Sequence, residues 1–117
     1  RRIAIDAKEP LDTLASVILN SMSFDQDHLY EFSYHNRFGA LERIKHPYMD
    51  EPPLVSEVLI GDVPLNVGQT MTFLFDFGDN WEFNLLLENI EEDPGVGRVK
   101  ILEVHGEPPE QYPNWSE

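Results

Sequence analysis

The sequence predicts an α+β fold in which a mostly antiparallel sheet of five or six strands carries one main helix on one face. Two kinds of pattern support this. One segment has apolar residues at helical spacing, and several short segments alternate apolar and polar residues, with Gly, Pro, Asn and Asp between them. The length of 117 residues suits a single domain, residues 1–117, with a core of its own.

The helix is predicted over residues 11–22, directly after Pro10, which suits a first helical turn. Its apolar positions follow the spacing i, i+3, i+4, i+7, i+8 and i+11 and form one stripe: Leu11, Leu14, Ala15, Ile18, Leu19 and Met22. A short strand is expected before it at residues 1–6, with Ile3 and Ile5 facing inward. The helix is therefore expected to lie on the sheet through this stripe.

Further strands are predicted at residues 28–34, 54–60 and 99–104, and a hairpin at residues 70–90. Residues 36–53 contain one Gly and three Pro and are expected to form a long loop. Residues 91–97 are expected to turn, and residues 106–117 form a Pro-rich tail. The tail aromatics Tyr112 and Trp115 would need a surface to pack on.

The hairpin carries the strongest site signal. If Gly78, Asp79 and Asn80 form its loop, Phe77 faces Trp81 on an aromatic core face of the hairpin, and Asp76 lies directly opposite Glu82 on the other face. Like charges paired across a ladder destabilise it unless a positive group is present. The pairing therefore predicts a site for a cation or a basic partner.

Several interpretations of the carboxylates Asp76, Asp79 and Glu82 remain open. Three carboxylates at a turn suit a divalent metal ion, and two close ones would share a proton. They would equally form an acidic patch for a partner, with Trp81 as an interface anchor, or serve turn chemistry alone. His28, beside acidic residues, is a further candidate ligand, acid–base group or local hydrogen-bonding residue.

Composition limits the classes of function. There are 22 acidic and 8 basic residues, a formal net charge of −14, which disfavours direct binding of nucleic acid or anionic membranes. Residues 46–97 contain eleven Asp and Glu but no Lys or Arg. The absence of Cys excludes disulfides and thiolate metal sites and fits the reducing cytoplasm. No segment is apolar enough to span a membrane, and we interpret the start at Arg1 as processing or trimming.

The motifs resemble those of the Ri-plasmid ORF-three-like domain family, which is also met as a passenger protein of mobile elements. The matching segments are Arg1-Arg2-Ile3, the helix from Leu11, FDQDHLYEF at residues 24–32, Leu59 with Gly61-Asp62, FDFGDNWE at residues 75–82, and Pro108-Pro109-Glu110. They follow the family's order over nearly the whole chain. The resemblance implies an α+β domain and no established activity.

This chain departs from the family pattern at three places, so site roles that depend on the missing residues are not expected here. Phe83 stands where members commonly have His, and the family's Cys residues near the Pro-Pro-Glu motif are missing. The strand that usually precedes the Arg-Arg pair is absent as well, which predicts an uncovered sheet edge.

The function expected from the sequence is a non-enzymatic, cytoplasmic module that binds a protein or peptide. The alternatives are a divalent-metal site, with hydrolytic chemistry, built from Asp76, Asp79 and Glu82, and an accessory role in mobile-element or nucleic-acid biology. No cofactor other than a divalent cation is implied, and no catalytic residue is assigned.

Overall fold

Six antiparallel strands and one helix form the part of the chain that the structure, a computed structural model, describes: residues 1–92 and 99–111. The elements are β1 (Arg2–Ile5), α1 (Leu11–Ser21), β2 (Tyr30–His35), β3 (Leu41–Lys45), β4 (Thr70–Phe75), β5 (Trp81–Leu86) and β6 (Val99–Glu103). The predicted α+β class is confirmed. The strands divide into two sheets, however, with the order β3-β2-β4-β5 in the larger and β1-β6 in the smaller.

The helix packs on one face of the four-stranded sheet, as its apolar stripe predicts. Leu11, Ala15, Ile18 and Leu19 are buried, while Leu14 and Met22 pack against the edge of the same core. Pro10 is the N-cap residue rather than part of the first turn. We call the sheet face toward α1 the inner face and the opposite one the outer face.

Aromatic side chains dominate the inner face, because alternate residues of each strand point to the same side. Phe32 of β2 lies opposite Phe73 of β4, which in turn lies opposite Phe83 of β5. The ring centroids of Phe32 and Phe73 are 4.8 Å apart, and Phe32, Phe73 and Phe75 are fully buried. Side chains of this size dominate the energetics of a core, so these strands anchor the domain.

The register of the β4–β5 hairpin differs from the predicted one by two residues. Phe75 pairs with Trp81 and Leu74 pairs with Glu82, so the loop consists of five residues, 76–80. The predicted opposition of Asp76 and Glu82 is therefore wrong, because Asp76 lies in the loop. A shift of two residues leaves the side chains of β4 and β5 on their predicted faces. The predicted pairing of Phe77 with Trp81 is wrong as well, because Phe77 lies in the loop and is 37% exposed.

The predicted long loop at residues 36–53 is wrong, since it contains β3 and a 3-10 helix, Pro47–Met49. The side chain of Asn36 closes the β2–β3 turn by accepting hydrogen bonds from the backbone N–H groups of Phe38 and Ala40. Strand β3 itself presents only one buried apolar residue, Ile44. Its alternation was therefore too weak to mark it as a strand.

The predicted strand at residues 54–60 is also wrong. Leu54 and Leu59 make only isolated bridges, with Lys45 and Pro10, and a 3-10 helix begins at Ile60. The apolar residues of the segment 54–60 instead pack into the core, where Val55 is fully buried.

Residues 93–97 of the predicted turn, and the tail residues Tyr112 and Trp115, lie outside the described residues. Over residues 1–92 and 99–111, no helix has the length and apolarity needed to cross a bilayer.

Candidate functional site

Asp76 organises the loop between β4 and β5. Its side chain accepts hydrogen bonds through Oδ1 from the backbone N–H groups of Gly78, at 3.1 Å, and Asp79, at 3.3 Å. Its own carbonyl accepts from the N–H of Asn80, at 2.6 Å. Asp76 and Asn80 have positive φ values of 63° and 55°, which Asp and Asn tolerate better than most residues. Asp76 is only 7% exposed, so its carboxylate belongs to the turn.

His28 connects this loop to the segment before β2. Its Nε2 lies 3.4 Å from Oδ2 of Asp76 and 3.6 Å from Oδ1 of Asp27. Its ring packs edge-on against Phe75, with centroids 5.9 Å apart. The His28 ring therefore lies beside two carboxylates, of which that of Asp76 is buried.

Gln111 brings a third segment to the same place. The side-chain Oε1 accepts a hydrogen bond from the backbone N–H of Asp25 at 2.6 Å, and Nε2 donates to the carbonyl of Asp25 at 3.2 Å. Nε2 also lies 3.4 Å from Oδ1 of Asp27. Gln111 is 8% exposed and directly follows Pro108-Pro109-Glu110. Three of the six motif segments that carry the family resemblance therefore converge here: residues 24–32, residues 75–82 and the Pro-Pro-Glu segment.

Sequence reasoning missed Gln111, because a single Gln in a Pro-rich segment has no periodicity and no charge to mark it. Of the predicted site residues, the structure brings His28 and Asp76 together. Asp79 contributes its backbone N–H, and its side chain is exposed at the loop tip.

Trp81 and Glu82 leave the loop in different directions. Trp81 packs edge-on against Phe24 on the inner face, with centroids 5.0 Å apart. Its indole Nε1 is buried and has no hydrogen-bond partner within residues 1–92 and 99–111. Glu82 is exposed and follows Leu74 across the outer face. Among the described residues, no group of three or more His, Asp or Glu is arranged to hold a metal ion.

A second concave surface lies between the two sheets, away from the Asp76 loop. We call it the β1–β5 groove; its volume is about 420 Å³. Side chains of β1, α1 and β4 line it together with residues of β5 and the segment that follows, including Ile3, Ile5, Leu14, Ile18, Met71, Asn84, Leu85 and Leu86. Its charged lining residues are Arg1 and Glu88. The groove is mostly apolar, within the range of about 300–1,000 Å³ typical of binding pockets.

Strand β5 forms one wall of the groove and is an edge strand of the described sheet. The Leu87 N–H donates to the carbonyl of Gln69, which makes odd-numbered residues of β5 the hydrogen-bonded partners of β4. The backbone N–H and C=O groups of Glu82, Asn84 and Leu86 consequently point away from β4, and Asn84 and Leu86 also line the groove. We call these six groups the β5 edge.

The chain is similar to proteins whose functions are not known. It is 29% identical over 113 residues to the uncharacterized protein y4hQ of Sinorhizobium fredii, a match that covers 94% of this chain and 57% of that protein. It also resembles the crystal structure of MM3350 from Methanosarcina mazei Go1, a protein of unknown function. The TM-score is 0.68 and the identity 28%, over 85% of this chain and 56% of that one.

The chain thus spans a little over half the length of these two relatives. The sequence profile of the plasmid pRiA4b ORF-3-like proteins matches residues 1–112, which include all three of the segments that meet around His28, Asp76 and Gln111. The chain is a member of the plasmid pRiA4b ORF-3-like protein family.

Proposed function

We propose that this domain is a non-enzymatic interaction module that binds an extended peptide segment of a partner protein along the β5 edge. The observation that carries the proposal is the position of the β1–β5 groove directly beside an edge strand. A cytoplasmic setting fits the cysteine-free sequence.

Strand addition usually requires unpaired main-chain groups and pockets for alternate side chains, and both occur at the β5 edge. Main-chain hydrogen bonds to Glu82, Asn84 and Leu86 would supply affinity, and an apolar groove would take alternate side chains and supply selectivity. Exposed edges also attract wrong partners, and proteins commonly protect them with charges, Pro or short strands. β5 has six residues and no Pro, and its exposed charge is Glu82.

The Asp76 loop supports this surface without being its contact area. Asp76 is buried and hydrogen-bonded within the turn, and the turn sets where β5 begins. The structure therefore favours a role for Asp76 in positioning β5, while Glu82 remains available to a partner.

A proline at position 84 tests the proposal. Pro has no N–H, and at residue 84 the lost N–H is one that points away from β4. The β4–β5 ladder is thus retained in N84P, while one hydrogen bond to an added strand is lost and the ring blocks its approach. N84A is the matched control, because it changes the side chain and keeps the N–H.

The measurement is selection from a phage-displayed library of random ten-residue peptides, followed by titration of the enriched peptides. We expect N84P to bind them at least tenfold more weakly, about 1.4 kcal/mol, and N84A to bind within about twofold of the unchanged domain. Failure to enrich any peptide, or equal binding by N84P, would refute strand addition at β5. Concentration-dependent dimers that N84P abolishes would also overturn the proposal, in favour of self-association.

A further inference from the structure

We infer that the segment added at the β5 edge carries Lys or Arg at the position facing Glu82 and apolar residues at the positions facing the groove. This inference rests on the proposed function and specifies the chemistry of the partner. One more strand beside β5 would place its side chains next to those of β5 on both faces of the sheet, and the chemistry of each β5 side chain then indicates its neighbour.

Glu82 ends a row of side chains across the outer face. The row runs from Lys45 through Glu31 and Leu74 to Glu82. Glu31 has a basic neighbour, since Arg43 Nε lies 3.5 Å from its carboxylate. Glu82 has the uncharged Leu74 beside it, and within the described part of the chain it makes no ion pair.

The next side chain in that row would belong to the added strand. Opposite charges at directly opposed positions stabilise a sheet, and like charges destabilise it. Because residues 46–97 contain no Lys or Arg, this segment of the chain itself offers Glu82 no basic partner. A Lys or Arg on the added strand, directly opposite Glu82, would supply a positive charge there.

The inner face sets the alternate positions. A side chain facing Leu85 would enter the groove, where Leu14, Ile18 and Met71 form an apolar lining. A side chain facing Phe83 would lie on the same, inner face of the sheet. Leu86, on the outer face, is 58% exposed and would be covered by an apolar residue of the added strand. On the outer face, the position facing Asn84 lies between those facing Glu82 and Leu86. We expect a polar residue there.

The partner segment thus has five defined positions, named by the β5 residue each faces. It is basic at Glu82, apolar at Phe83, polar at Asn84, and apolar at Leu85 and Leu86. Such a segment alternates between polar and apolar residues over its first four positions and carries positive charge, which complements the net charge of −14.

Charge reversal at position 82 tests the inference with the same ten-residue library. The unchanged domain is expected to enrich Lys or Arg at one position of an alternating apolar pattern, and E82K to enrich Asp or Glu there. The basic peptides should bind E82K about tenfold more weakly, and exchanging their basic residue for Glu should restore binding to E82K but not to the unchanged domain. The affinity of the unchanged domain should also fall with added NaCl.

E107K is the matched control, because it makes the same change in net charge at an exposed residue outside the β5 edge. Peptides that bind E82K and E107K equally well, yet bind N84P weakly, would overturn the basic-segment inference and leave strand addition in place. Peptides indifferent to N84P, or none at all, would overturn the proposed function itself. The two failures are thereby distinguished.

Discussion

Replacing Asp76 by Ala should remove the anchor of the β4–β5 loop. D76A loses the acceptor for the N–H groups of Gly78 and Asp79, at 3.1 and 3.3 Å, which costs about 0.5–1.5 kcal/mol for each hydrogen bond. Ala at a φ of 63° adds roughly 1 kcal/mol, because its Cβ is crowded in the left-handed region. The expected loss is about 3 kcal/mol.

Asn at position 76 is the informative comparison. D76N keeps a side-chain oxygen for the two N–H groups and tolerates the positive φ, but it gives up the negative charge beside His28. The His28–Asp76 pair is 3.4 Å long and His28 is partly exposed, so its loss should cost no more than about 1 kcal/mol. D76A loses this pair as well, so the two variants should differ by the contribution of the turn, about 3 kcal/mol.

Urea denaturation measures both free energies of unfolding, with an unchanged m-value as the check that the same transition is followed. Thermal melts should show D76A about 12 °C below the unchanged protein, at roughly 4 °C for each kcal/mol in a domain of this size. Equal destabilisation of D76N and D76A would show that the charge, rather than the turn, is what Asp76 supplies. A D76A variant within 1 kcal/mol of the unchanged protein would refute the anchor altogether.

Two further measurements test the pH dependence of stability that Tyr30 causes and the divalent-metal alternative. Burial, with a smaller contribution from the charge of Asp12, raises the pKa of Tyr30 to about 12 from its usual value near 10. The stability linked to Tyr30 is therefore fully present below pH 10 and is lost as the pH rises toward 12, by at most about 2.7 kcal/mol, and Y30F should show a smaller alkaline loss in urea titrations. Excess Mg²⁺, Ca²⁺, Mn²⁺ or Zn²⁺ should leave the melting temperature measured in EDTA unchanged within 1 °C, because Oδ1 of Asp76 already accepts two N–H groups and Glu82 lies outside the loop. A rise of several degrees, abolished by D76N, would instead establish the metal site, since occupancy at 100 times the Kd adds about 2.7 kcal/mol.

The elements with strong periodicity were predictable, and those without it were not. The apolar stripe of α1 and the alternation of β4 and β5 span six or more residues each, so their pattern alone identified both type and buried face. β3 buries only Ile44, and the stretch around Val55 supplies core side chains without pairing as a strand. In both places, packing against distant segments determined the backbone conformation. Such packing leaves no periodic pattern in the local sequence.

The residues of the candidate site were likewise only partly predictable from the sequence. Asp76 and His28 were both identified from the sequence as candidates, but their proximity was not, and Gln111 was missed. Gln111 binds the backbone of Asp25 across 86 residues of chain, through a side chain that is unremarkable in its own segment. Contacts over such separations follow from topology.

By itself, the sequence determined the α+β class, the apolar face of each main element and the acidic character of the second half, because these properties are local or additive. Only the tertiary structure decided the register of the hairpin, the meeting of His28, Asp76 and Gln111, and the β1–β5 groove. The register shifted by two residues because Asp76 left the ladder to bind the N–H groups of its own loop, while its N–H bonds the carbonyl of Leu29. The hydrogen bond to Leu29 joins residues that are far apart in the sequence, so no local pattern predicts it.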